Sequence, residues 1–285
     1  MTALGASHPE VKQLRKLLRD RAARDEQGVV VIDGPRAVDG AFDRGAHFLA
    51  VYIGEDANFL ATAVGARARD SGINVRHLAA GVADRIGELR TSTGVFAIVG
   101  QPRADVAALD AGDLWLVLPA INDPGNLGTM IRSAEAAGAD GISIGPGSVD
   151  PYNPKVVRAS AGAVFGITIL ESDAMTVLQR LGARGVRRFG AVARGGDMLG
   201  EIVIAPPIAL VLGHETRALH GFGESDATPM PFDRLLGLEL ELDGAVRIPM
   251  AGAAESLNVA MAATVLLFEV ARQRDRCTPR DGATQ

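Results

Sequence analysis

At 285 residues the chain is long enough for one large or two medium domains. Apolar residues make up 47% and charged residues 22%, a globular balance without the roughly 18-residue apolar run of a spanning helix. A net charge of −5 argues against a uniformly basic nucleic-acid coat, and the single cysteine, Cys277, excludes an internal disulfide and a cysteine zinc site. The first residues lack a basic stretch followed by an apolar core, so no signal peptide is expected and a cytoplasmic setting is. The five histidines have no ligand spacing, so no metal is expected.

The charge is uneven. Residues 1–100 sum to +1 and the remainder to −6. Six basic side chains, Lys12, Arg15, Lys16, Arg19, Arg21 and Arg24, fall in the first 24 residues. Residues 9–24 are predicted as one helix, with Val11, Leu14 and Leu18 on its apolar face. Lys12, Arg15, Lys16 and Arg19 lie on a different face, as a solvated surface or a phosphate-binding one. An apolar strand at 28–33 follows, then a turn at Gly34-Pro35-Arg36 and a helix through Arg44. The pattern continues with a strand at 48–53, a helix at 58–69, a short strand at 74–76, a helix at 82–89 and a strand at 94–100. This alternation predicts a small α/β domain over residues 1–100.

Residues 101–113, opened by Pro102 and rich in Asp and Ala, read as a linker. A second α/β unit over 114–275 begins with the apolar strand Leu114–Leu118. The segment Asn122-Asp-Pro-Gly-Asn-Leu-Gly-Thr-Met-Ile-Arg-Ser133 is a loop running into a helix. Strands are predicted at 141–144, 168–170, 188–193 and 208–213, and helices at 155–161 and 174–182. Residues 219–245 have no period and read as a loop or insertion. The last helix follows Gly252, with Ser256 and Asn258 as polar groups at its opening. Leu257, Met261, Val265 and Phe268 recur at spacings of four, four and three, so that face is expected to pack inward. Residues 276–285 form a polar tail expected to be disordered. Gly145-Pro-Gly147 lacks the third glycine of a dinucleotide fingerprint, which disfavours a doubly wound oxidoreductase.

Three blocks, in order, resemble the SpoU/TrmH branch of the SPOUT methyltransferases. They are Asn122–Arg132, with Asn126, Gly128 and Arg132; Leu210-Val-Leu-Gly-His-Glu215; and Ile248-Pro-Met-Ala-Gly252 with Ser256-Leu-Asn-Val-Ala260. The N-terminal unit is similar, more loosely, to the ribosomal-protein-like substrate-binding domain that precedes such catalytic domains. It rests on the 29–34 strand, the following helix and the 94–99 strand. The resemblance implies a catalytic domain with a parallel sheet and a deep trefoil knot. It also implies a homodimer and S-adenosylmethionine-dependent 2′-O-methylation of ribose in RNA. Ribosomal RNA is the favoured substrate, with transfer RNA or a non-catalytic role in RNA binding or ribosome assembly as alternatives.

Carried over by position, the cofactor lies against Leu212, Gly213, Ile248, Met250 and Leu257, and the catalytic group comprises Arg132, Asn126, Glu215, Ser256 and Asn258. A guanidinium with a pKa above about 12 is a poor general base. Arg132 therefore reads as a ligand for phosphate or for the developing alkoxide, with a proton-shuttling role left open. Lys12, Arg15, Lys16 and Arg19 become candidate RNA contacts. Two features depart from the family pattern. Thr216 stands where Gly commonly follows the motif's Glu, and the path from Gly213 to Ile248 spans 35 positions, longer than in most relatives.

Overall fold

The computed structural model describes residues 3–87, 94–213, 242–252, 254 and 256–277. The chain divides into two compact units: Met1–Pro102 together with Asp150–Gly166, and Arg103–Val149 together with Ile167–Gln285. The segment Asp150–Gly166 lies in the middle of the stretch that the sequence assigns to the second domain.

In the first unit, α1 (Pro9–Arg19) and α2 (Arg21–Gln27) replace the single helix expected over 9–24. Asp20 breaks it. Its backbone is extended, and its side chain accepts from the Ala23 amide at 3.2 Å, capping the second helix. The four strands β1 (Val29–Asp33), β2 (Phe48–Gly54), β3 (Val75–Leu78) and β4 (Val95–Gly100) form a sheet in the order β1-β4-β2-β3. β4 runs antiparallel to both neighbours, while β2 and β3 are parallel. Helices α3 (Pro35–Asp43), α4 (Phe59–Asp70) and α5 (Val82–Ile86) alternate with the strands, as the pattern predicts. Leu14, Leu17, Val31, Ile86 and Phe96 form part of one buried cluster.

Asp150–Gly166 completes this unit with α7 (Pro154–Ala159), which follows α6 (Pro124–Ala136) of the second unit in the chain. Three contacts hold it. Arg24 pairs with Asp150, Arg158 Nη1 lies 3.1 Å from Asp33 Oδ2, and Tyr152 donates its hydroxyl to the Pro102 carbonyl at 2.8 Å. Arg24 is only 3% exposed and also donates to the Leu17 carbonyl at 2.8 Å. It is therefore a buried structural group and not part of a basic surface.

The second unit is built on seven parallel strands: β5 (Leu114–Leu118), β6 (Gly141–Ile144), β7 (Thr168–Glu171), β8 (Arg187–Ala191), β9 (Asp197–Met198), β10 (Ile208–Val211) and β11 (Gly244–Arg247). Their order is β7-β6-β5-β10-β8-β11-β9, every neighbouring pair parallel. Continuous apolar runs such as Leu114–Leu118 suit strands buried on both faces. Trp115 and Val117 face α8 (Ala174–Ala183) through Val177, Leu178 and Leu181. Gly141 is required opposite Trp115, because a Cβ there would overlap the indole ring.

Helices α6 (Pro124–Ala136) and α9 (Val259–Cys277) pack against each other. The expected inward face of α9 is reversed. Met261, Val265 and Phe268 are 48%, 40% and 49% exposed, whereas Val259, Ala260, Ala263, Leu266, Leu267 and Val270 are buried. The helix is apolar on more than one face, so spacing alone did not choose between them, and the small residues Ala260 and Ala263 permit the closer packing. Three smaller corrections concern boundaries. The expected linker contains a short 3-10 helix, Val106–Asp110, whose Leu109 is buried in the second unit's core. β11 begins inside the stretch read as a loop, and α9 continues two residues into the expected tail. Residues 219–241 of the expected insertion, and 278–285 of the tail, lie outside the described residues.

Removing one member of a buried ion pair strands the other charge. Asp150→Ala should therefore destabilise the protein by about 3–5 kcal/mol, read from chemical denaturation, although residue 150 lies far from α2 in sequence.

Candidate active site at the carboxyl edge of the parallel sheet

Because all seven strands run the same way, the loops that leave their carboxyl ends share one edge, where open α/β sheets hold ligands. Loop 119–123 leaves β5 and loop 145–149 leaves β6. Leu212–Gly213 follows β10, and Ile248–Met250 follows β11. β8 lies between β10 and β11, with Val211 beside Gly190 and Val246 beside Ala191. The second and third sequence blocks therefore flank one strand end despite their separation in the chain.

The first two loops are tied together. The Ile121 amide donates to Ser148 Oγ at 3.1 Å, and the Val149 amide donates to the Ile121 carbonyl at 2.8 Å. This fixes the approach to α6. Asp123 caps that helix, accepting from the Asn126 amide at 2.7 Å, and Pro124 occupies its first turn.

Asn126 and Asn258 meet directly, Asn258 Nδ2 donating to Asn126 Oδ1 at 3.1 Å. Asn258 Oδ1 also accepts from the Ala260 and Met261 amides, at 2.9 and 3.4 Å, capping α9. One side chain thus closes the start of α9 and holds the start of α6. Arg132 lies on α6, exposed, with no hydrogen-bond or ion-pair partner among the described residues. A helical Cβ tilts toward the amino end, and the residues one and two turns back from Arg132 are Gly128 and Gly125. Ser256 is exposed just before α9 and likewise has no partner among the described residues. Glu215, and Thr216 beside it, lie outside the described residues.

The five expected cofactor residues are apolar or glycine, and the Leu212 amide donates to the Val117 carbonyl at 3.0 Å. Leu212 is buried, Ile248 and Met250 are half-buried, and Leu257 is 37% exposed. Gly213, Ile248 and Leu257 make no hydrogen bond with another described residue. Apolar walls with a few unpaired polar groups fit a nucleoside-bearing ligand. Among the described residues there is no cluster of metal-ligating side chains.

In the first unit, Lys12, Lys16 and Arg19 are exposed on α1, while Arg15 is half-buried and donates Nε to the Arg85 carbonyl at 3.1 Å. The apolar face of α1 is Val11, Leu14, Leu17 and Leu18. The basic group expected from the sequence therefore comprises three cations without a partner among the described residues and one tethered Arg. Arg24 is removed from it, and Arg21 pairs with Asp25 at 3.3 Å. Residues not foreseen from the sequence include Asp123 and Ser148. The Asp-Pro start of α6 carried a readable capping signal, but the Ser148 contact depends on the pairing of two loops.

The family model described as SpoU rRNA Methylase matches residues 113–222, and the MRM3-like substrate binding domain matches residues 8–97. A tRNA/rRNA methyltransferase of Mycolicibacterium paratuberculosis, itself described as uncharacterised, is 32% identical over 282 residues, covering 95% of this chain and 86% of that protein. The chain belongs to the SpoU rRNA methylase family. RlmP of Bacillus subtilis, a 23S rRNA (guanosine(2553)-2′-O)-methyltransferase, is 28% identical over 265 residues, covering 93% of this chain and 97% of RlmP. Among solved structures, the AdoMet-bound rRNA methyltransferase of Sinorhizobium meliloti superposes with a TM-score of 0.72 at 28% identity, covering 95% of this chain and 97% of that one.

Asn258 serves α9 as a cap, and capping side chains are worth about 1 kcal/mol. Asn258→Ala should lower stability by about that amount, seen as a reduced thermal midpoint. Asn258→Asp, which keeps the capping oxygen, should lose less.

Proposed function

We propose that this SpoU-family enzyme methylates a ribose 2′-hydroxyl of ribosomal RNA, with S-adenosylmethionine as methyl donor. The observation that carries this reading is the convergence of separated blocks at one sheet edge, closed by the Asn126–Asn258 hydrogen bond. The family match supports it, as do the AdoMet-bound neighbour and the 23S ribosomal RNA 2′-O-methylation named for RlmP.

Gly213, Ile248 and Leu257 would hold the cofactor through their backbone groups, with Leu212 and Met250 against its adenosine. When bound, the cofactor supplies an electrophilic methyl on a sulfonium. Transfer to the ribose oxygen would leave the cofactor as its neutral thioether, and the proton of the 2′-hydroxyl would pass to solvent water. Arg132 stabilises the charge developing on that oxygen, or the adjoining phosphate, as a permanently cationic group. Asn126 holds Arg132 or the ribose, Ser256 and Asn258 position the target nucleotide, and Glu215 orients an arginine or a loop amide. Lys12, Arg15, Lys16 and Arg19 grip RNA phosphates along α1, which orients a substrate without reading its sequence.

Within this reading the catalytic unit spans 114–275 and is knotted as a deep trefoil, in keeping with its family. The enzyme is a homodimer, supported by the exposed stripe of Met261, Val265 and Phe268 on α9. Its ribosomal substrate sets it in the cytoplasm.

Calorimetric titration of S-adenosylmethionine, with sedimentation of the same sample, tests the core of the proposal. The expected result is a dimer that binds one cofactor per chain. Arg132→Ala should keep that affinity but lose about 10²-fold or more in methyl transfer. Failure of both forms to bind the cofactor would overturn the assignment. Replacing Lys12, Lys16 and Arg19 together by Ala should weaken RNA binding across sequences and flatten its log–log salt dependence by up to about three charges. An unchanged salt slope would remove α1 from the RNA interface.

A further inference from the structure

Arg132 has no partner among the described residues, so its position depends on how α6 is seated. Three polar contacts lie along the seam between α6 and α9. At the amino ends, Asn258 donates to Asn126. Seven residues further along α6, Ser133 Oγ lies 2.7 Å from Thr264 Oγ1. At the carboxyl end of α6, Arg274 donates Nη1 to the Gly138 carbonyl and Nη2 to the Ala137 carbonyl, both at 3.0 Å. Both helices start at the same sheet edge and run in parallel. Asn126, Met130, Ser133 and Ala137 form one ridge of α6, and Ala260, Thr264, Leu267, Ala271 and Arg274 form the facing ridge of α9.

The two outer contacts also serve helix ends, closing backbone groups that would otherwise lack partners. The middle contact has no such duty. Thr264 Oγ1 donates its own proton to the Ala260 carbonyl at 2.8 Å, so the Ser133 hydroxyl is the donor to Thr264. Two apolar residues of similar shape would fill that space without leaving a buried polar group. The seam around it is rich in small side chains, Ala134, Ala137, Ala260 and Ala263, which resist sliding weakly. A single directional bond there fixes register.

We propose that Ser133 and Thr264 are positioning residues for Arg132. Their hydrogen bond fixes the rotation and axial register of α6 on α9, and Arg132 is the residue immediately before Ser133. Any rotation of α6 that separates Ser133 from Thr264 swings Arg132 through the same angle, and misplacement by about 1 Å is enough for about a 10²-fold loss of rate. The inference rests on the reading of Arg132 as the group that acts at the ribose oxygen.

The test is a double-mutant cycle in the full chain, with an unmodified 23S ribosomal RNA transcript as substrate. Thr264→Val removes the acceptor while keeping the shape. The expected result is a kcat about tenfold lower, with the cofactor Kd within about twofold of wild type and kcat largely restored by Thr264→Ser. In an Arg132→Lys background, where the lysine keeps a residual rate, Thr264→Val should change kcat by less than about twofold, because the group being positioned is already gone. Equal losses in both backgrounds, a parallel loss of cofactor affinity, or a lower thermal midpoint with kcat intact would each overturn the proposal. Ser133→Ala, which deletes only the donor, carries the same test if Thr264→Val does not fold. Full activity of Arg132→Lys alone would sink the reading of Arg132 itself, whatever the two hydroxyls do.

Discussion

Strands that all run in one direction deliver all their carboxyl ends to one edge. The rest of the catalytic unit depends on that constraint. Seven parallel strands bring the loop after β5, the turn after β10 and the turn after β11 to one edge, although Leu118 and Ile248 are 130 positions apart in the chain. Hydrogen bonds then convert proximity into a site. Ser148 and Val149 hold the loop before α6, Asp123 starts that helix, and Asn258 joins its first turn to the start of α9.

The helices divide the work by face. On α9 one set of residues is buried, a second lies along α6, and a third, Met261, Val265 and Phe268, remains exposed. These three large apolar side chains are 40–49% exposed, an apolar stripe of the kind that marks interaction surfaces. The same helix supplies the Asn258 cap and the Thr264 contact, so the exposed apolar stripe and both contacts to α6 lie on one element. In the first unit, a segment returning after Val149 is locked in by the Arg24–Asp150 pair and by Arg158 on Asp33. Helix α1 keeps Lys12, Lys16 and Arg19 exposed on one side and Leu14 and Leu17 buried on the other.

Much of this was legible in the sequence. Apolar runs such as Val29–Ile32 and Leu114–Leu118 have only one home, and Asn258 marked the start of α9. The motifs from Asn126 to Asn258 pointed to their family before any coordinate was known. What could not be read were properties of pairing. Arg24 looks like part of a basic surface until its carboxylate partner, 126 residues away, is brought beside it. The inward face of α9 was misassigned because Leu257, Met261, Val265 and Phe268 have the same period as the buried set, and small alanines at the closest approach gave no hydrophobic signal. The break at Asp20 lay within a continuous helical pattern and was decided by a side-chain cap.

The central claim is that the three separated blocks build one cofactor site at the carboxyl edge of the parallel sheet. A crystal structure of the enzyme with S-adenosylmethionine tests it most directly. The account requires the cofactor to lie against the backbone of Gly213, Ile248 and Leu257, with its methyl group turned toward the Arg132 side of α6. A cofactor bound elsewhere, or at that edge with its methyl directed away from α6, would contradict it.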